Sequence, residues 1–251
     1  MPMHESDAAS VKGFPCQAEL LAFIDADGGL RALKEHVAAL LEHDPGHDLA
    51  HALRVALWTL RLGGDALDPR SAIAAALLHD VVNLPKDSPL RATASTRSAE
   101  AARELLPRHG FDPEETNEIA DAIRDHSFSR GAVPETLLGK ALQDADRLES
   151  LGALGIFRTI STGVRMGARY FHREDPFAEA RELDDRAFTV DHFFAKLLKL
   201  ESTMQTPAGR VEAARRTLTL RAFLEQLADE LGVPLPTQER VDSSARTGEV
   251  E

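Results

Sequence analysis

The 251-residue chain is poor in the side chains that most often announce a function. Cys16 is the only cysteine, which excludes an intramolecular disulfide and a thiolate metal site. Aromatic residues make up 5%, with one Trp and one Tyr. No apolar run reaches the roughly 18 residues of a membrane span, and the first 13 residues lack the apolar core of a signal peptide. A cytoplasmic location is the expectation. The one double glycine, Gly63-Gly64, lacks the context of a phosphate-binding loop. Basic residues are short: 29 Lys and Arg against 41 Asp and Glu leave a net charge of −12. That excludes a duplex nucleic-acid partner, which wants a basic face, but leaves room for a small phosphorylated substrate held by a few local cations.

Helical spacing is what the chain does have. No segment shows strict period-2 alternation long enough for a strand, and alanine and leucine favour helix. The spacing predicts helices over 17–26, 30–41, 47–62 and from the N-cap and proline at Asp68-Pro69 into His79-Asp80. Further helices are expected over 95–108, from Asp112-Pro113 with Glu115 as a capping box, over 134–150 and over 152–167. The last two are expected at 186–204 and 209–231. Residues 166–185 are charged and irregular and suit a lid or a partner surface. The expected architecture is all-α: one domain over 14–236 of nine or ten helices, with residues 1–13 and 237–251 disordered.

His and Asp recur inside these apolar helices at three places. They are His47-Asp48-Leu49-Ala50-His51, the pair His79-Asp80, and Gln143-Asp144-Ala145-Asp146. A buried carboxylate without a partner costs several kcal/mol (of that order), and a divalent metal removes that cost. The alternative is a buried ion pair or a satisfied core histidine. Side chains projecting inward from facing helices are how bundles build metal sites. Two imidazoles and two carboxylates suit Mn2+, Fe2+, Co2+ or Mg2+.

In that order, His51…His79-Asp80…Asp146 resembles the H…HD…D signature of the HD-superfamily metal-dependent phosphohydrolases, in particular their small stand-alone bacterial branch. The His47-Asp48-x-x-His51-x-x-Arg54-Val55 phrase, the segment Asn83 to Pro89, His126-Ser127-Phe128-Ser129 and Asp184-Asp185-Arg186-Ala187-Phe188 carry the resemblance from about residue 30 to 231. It implies an all-α fold, one divalent ion on His51, His79, Asp80 and Asp146, and hydrolysis of a phosphate ester or anhydride, commonly in a nucleotide. His51 is preferred to His47 because it precedes Arg54-Val55, and Asp146 to Asp144 because it precedes Arg147-Leu148. Asp144 sits about 200° round the helix from Asp146, as a surface or supporting carboxylate. Asp48 reads as a cap or an orienting group.

Lys86, Arg54, Arg147, Ser95 and Ser98 are the candidate phosphate contacts. An ion pair competes for each arginine, and helix capping for one of the serines. Some relatives, including those acting on guanosine tetraphosphate, carry acidic residues where this chain has Asn83 and Leu84. Proton transfer therefore falls to His126, Asp87 or metal-bound water, with His126 and Asp80 as the catalytic pair. A metal-stabilised, non-catalytic nucleotide-binding or signalling module is the alternative. An HD-type di-iron oxygenase is the less favoured one, because it needs further histidines between the HD pair and the distal Asp. The oligomeric state is not legible.

Overall fold

The computed structural model describes residues 14–41, 48–82, 90–127 and 131–236. The expectations for Lys86, Asn83, Leu84, Asp87 and His47, and for residues 1–13 and 237–251, lie outside them. Among the described residues the fold is all-α, with ten helices: α1 (Gln17–Ala26), α2 (Gly28–Leu41), α3 (Leu49–Gly63), α4 (Pro69–Leu78), α5 (Ala94–Leu105), α6 (Pro113–Asp125), α7 (Leu137–Leu148), α8 (Gly152–Met166), α9 (Asp191–Ala195) and α10 (Pro207–Leu231). The chain divides into two compact units. The first comprises residues 1–146 and 205–209, the second 147–204 and 210–251.

In the first unit α4 is the central helix. Asp68 caps it by accepting from the Ser71 amide at 2.7 Å, and Pro69 supplies the first residue. Every residue from Ser71 to Leu78 is buried. A helix apolar all round must be surrounded, and α2, α3 and α6 pack against it. Its alanines, Ala72, Ala74, Ala75 and Ala76, let those neighbours approach closely. α5 packs on α6. The capping box read at Asp112-Pro113-Glu114-Glu115 is present in both halves, Asp112 accepting from Glu114 and Glu115 and Glu115 accepting from the Asp112 amide.

The second unit corrects one expectation. The helix predicted over 186–204 is short and broken: α9 covers five residues and a 3-10 turn follows over Leu197–Thr203. The reason is a competing backbone pairing. Arg169 donates to Ala187 O, Thr189 donates to Arg169 O and Val190 donates to Tyr170 O, so Phe188 forms an isolated parallel bridge with Arg169 and the amides of 189 and 190 are taken from the expected helix. The stretch before it, read as a lid or partner surface, is tied down. Asp175 accepts the amides of Glu179, Ala180 and Arg181. Arg181 makes a two-pronged pair with the fully buried Asp191 and lies over the Phe188 ring at 4.6 Å.

Asp27 fastens three parts of the first unit. One carboxylate oxygen accepts the Leu30 amide at 2.9 Å, capping α2, and the other takes Arg70 of α4 at 3.2 Å. Arg70 also donates to His109 O and stacks on Phe111. The Leu30 amide first, and then Arg70, outweigh partial burial and hold the Asp27 carboxyl below its ordinary range. A depressed carboxylate stabilises the fold above its unfolded pKa of about 3.9, and that contribution is lost as pH falls through the lower folded value. Asp27→Ala is therefore expected to cost about 1–2 kcal/mol at neutral pH. The gap from wild type should narrow in denaturation curves as pH falls below the ordinary carboxylate range; a gap independent of pH would show that the ion pair contributes nothing.

Candidate metal centre

His51 stands in the first turn of α3, where the Asp48 carboxylate accepts its backbone amide at 2.8 Å. Asp48 thus serves as the cap, and the cap fixes the turn that presents the imidazole. His79 is the residue at which α4 ends, and it is 1% exposed. Its Nδ1 lies 2.7 Å from Ala76 O. A carbonyl can only accept, so Nδ1 carries the proton and Nε2 presents a lone pair. Burial pulls the His79 pKa down to about 4, so the ring is neutral at neutral pH and able to act as a donor atom.

The other groups gather around that nitrogen. His51 Nε2 is 3.2 Å from His79 Nε2. Asp80 Oδ2 is 3.7 Å and Asp146 Oδ1, on α7, 3.9 Å from His79 Nε2; Asp146 Oδ1 is also 3.6 Å from His51 Nε2. Burial pushes the Asp146 carboxyl up, but the three histidines outweigh it and the net direction is down. These atoms form a set of His51, His79 and Asp146, and a second of His79, Asp80 and His126, each spanning no more than 4.8 Å and each able to hold a metal ion. Imidazole nitrogens from buried histidines facing half-buried carboxylate oxygens fit a divalent cation on chemistry alone.

His126 is the addition. It was read as a proton donor, and the structure puts it in the cluster itself. It is the C-cap of α6, Nδ1 is 2.6 Å from Ile123 O, and Nε2 is 3.6 Å from Asp80 Oδ1. Burial lowers its pKa, yet the Asp80 contact and the Asp146 charge outweigh burial and raise it.

The remaining sequence candidates are placed unevenly. Asp144 is fully buried rather than on the surface, and its carboxylate accepts from the Gln205 and Thr206 amides and the Thr206 hydroxyl at 2.7–2.8 Å. Ser98 is fully buried and its hydroxyl bonds the Val82 backbone, accepting from its amide at 3.1 Å; it anchors the chain after the HD pair instead of facing a phosphate. Ser95 is buried with a hydroxyl that has no hydrogen-bond partner. Neither serine is the cap of α5, whose N-cap is Thr93. Arg147 donates to the Thr203 carbonyl within the second unit, and Arg54 is half-buried on α3, one turn past the His51 end. One residue escaped the sequence reading. Gln143, fully buried, donates from Nε2 to Asp125 O and to Ala132 O, both at 3.0 Å, and so holds the chain on both sides of the His126 loop. The available signal was a lone amide on an apolar helix three residues before Asp146.

A family model of the HD domain matches residues 48–151, the span that contains His51, His79, Asp80, His126 and Asp146. Over 198 residues the chain is 29% identical to the uncharacterized protein YpgQ of Bacillus subtilis (strain 168), covering 76% of this chain and 88% of YpgQ. The crystal structure of YpgQ in complex with ADP matches with a TM-score of 0.64 at 26% identity, over 84% of this chain and 96% of that one. An HD-superfamily hydrolase from Bacillus thuringiensis matches with a TM-score of 0.61 at 28% identity, over 86% and 100%. No described helix is long and apolar enough to cross a membrane. Residues 48–151 are thus similar to the HD domain in sequence, and the signature residues cluster in space inside that matched span.

Proposed function

We propose that the chain is a divalent-metal-dependent phosphohydrolase that cleaves a phosphate ester or anhydride in a nucleotide or a similar small phosphorylated compound. The observation that carries this reading is the convergence of two imidazole nitrogens and two carboxylates from α3, the end of α4 and α7. His51, His79, Asp80 and Asp146 would hold one ion, with Mn2+, Fe2+, Co2+ and Mg2+ all compatible. When bound, such an ion supplies Lewis acidity at a phosphoryl oxygen and a more acidic water. The nucleotide part rests on the likeness to YpgQ, whose crystal structure holds ADP.

In the hydrolysis a water oxygen forms a new bond to phosphorus, the bond to the leaving oxygen breaks, and the leaving oxygen takes up a proton. His126 is the proposed source of that proton. Its Nδ1–H is committed to Ile123 O, so the transferable proton sits on Nε2, on the side of Asp80. Lys86 and Arg54 remain the candidate phosphate contacts, and the unpartnered Ser95 hydroxyl a third.

The direct test is a screen for phosphate and pyrophosphate release over nucleotides with Mn2+, Mg2+ or Co2+ added. Metal-dependent turnover is expected; nucleotide binding without turnover would return the non-catalytic module. Two neighbouring aspartates should separate cleanly. Asp146→Ala should lose metal and activity with the fold intact. Asp144→Ala should keep the metal but strand buried amides, costing on the order of 1–3 kcal/mol for each left unpaired, read by chemical denaturation. The reverse pattern would exchange their roles.

His126→Gln should keep its metal content and lose roughly 10²–10⁴ in kcat, the range of general acid–base catalysis. A general acid must be protonated, so wild-type activity should fall as pH rises through the His126 pKa in the complex, and the variant should lack that alkaline limb. A variant that instead loses metal would make His126 a ligand. A metal stoichiometry of two ions would bring the oxidative reading forward.

A further inference from the structure

The metal cluster uses nothing from the second unit beyond residue 146. There, residues 150–173 carry four arginines, Arg158, Arg165, Arg169 and Arg173, and no acidic residue, in a chain whose net charge is −12. Arg158 is drawn towards Glu149 at 4.0 Å. Arg169 and Arg173 are exposed and have no acidic ion-pair partner among the described residues.

Beside this stretch, within the second unit, lies a cavity of about 340 Å3. Ile160 of α8, Tyr170, Phe171, Val190, Phe193 of α9 and Phe223 of α10 wall it. Phe193 and Phe223 stack with centroids 5.6 Å apart, making one flat face. Thr189 also lines the cavity, and its buried hydroxyl has no hydrogen-bond partner. At about 340 Å3 the cavity falls at the lower end of small-molecule sites. The chain's own last 15 residues supply little to fill it: their large apolar side chains are Val241 and Val250 alone.

Charge and shape together select the occupant. An apolar body suits the walls, and a negative head suits the guanidiniums that flank Tyr170 and Phe171 in the chain, Arg169 and Arg173. Arg158 and Arg165 stand about 140–160° round α8 from Ile160, at 100° per residue, and so point away from the cavity. A flat bilayer would take up the protruding Phe157, which is 75% exposed, but would leave the concavity unfilled. We propose that the second unit binds one small anionic amphiphile, its apolar chain or ring system in the cavity and its acidic head at Arg169 and Arg173.

The test uses the metal-loaded full chain and does not depend on turnover. Tyr170 is the only tyrosine, so 3-fluorotyrosine gives a single fluorine resonance at the cavity. Decanoate is expected to shift that resonance and, in calorimetry, to bind about tenfold more tightly than decanol, a difference of the size of one charge-assisted hydrogen bond. The double variant Arg169→Gln, Arg173→Gln should bring decanoate down to the decanol level. Leu227 of α10 also lines the cavity, and Leu227→Trp, which fills it, should abolish both, with a thermal melt to confirm folding. An unmoved resonance, equal binding of decanoate and decylammonium, or no effect of the double arginine change would overturn the proposal. So would binding to anionic vesicles that Leu227→Trp leaves intact, which would make the face a membrane contact.

Discussion

The structure of the first unit depends on the polar end of an apolar helix. α4 is buried from Ser71 to Leu78, and where it stops it leaves an imidazole in the core. Water does not reach that ring, so every polar atom on it has to be answered locally. Ala76 O answers Nδ1. What remains is one lone pair on Nε2, around which His51, Asp80 and Asp146 collect from three directions. The low pKa that burial imposes on His79 keeps that lone pair available. The geometry of the proposed ion site is thus set by the place where the α4 helix ends.

α7 distributes polar groups from successive positions to different tasks. Gln143 holds Asp125 O and Ala132 O, Asp144 takes the amides of Gln205 and Thr206, Asp146 faces the histidines, and Arg147 donates to Thr203 O. At 100° per residue, neighbours in sequence cannot face the same way. Asp144 and Asp146 therefore part company although only one alanine separates them. Gly209 belongs to the same arrangement: a Cβ there would run into the Asp144 carboxylate, so the close approach of that turn requires glycine.

The second unit is stabilised differently. Its irregular stretch is ordered by charge, through Asp175 on three amides and Arg181 on Asp191. Asp191 is fully buried, and a buried carboxylate without its guanidinium would be strongly unfavourable. That pair explains how a segment with little helical or apolar patterning still takes a defined path.

The sequence alone determined whatever is local in the chain. The Asp68-Pro69 and Asp112-Pro113 starts and the capping box are set by residues within one turn of each other, and the structure has all three. The order of His51, His79-Asp80 and Asp146 was legible for the same reason that the resemblance to the HD domain is: each phrase is short and contiguous. Only the tertiary structure decided the rest. It broke the expected helix over 186–204, because pairing with 169–170 is a non-local competitor that spacing cannot register. It sent Ser98 to the Val82 backbone, enlisted Gln143 and brought His126 to Asp80. Each of these joins residues 11 to 46 positions apart, and which partner a buried polar group finds at that separation depends on how the helices pack.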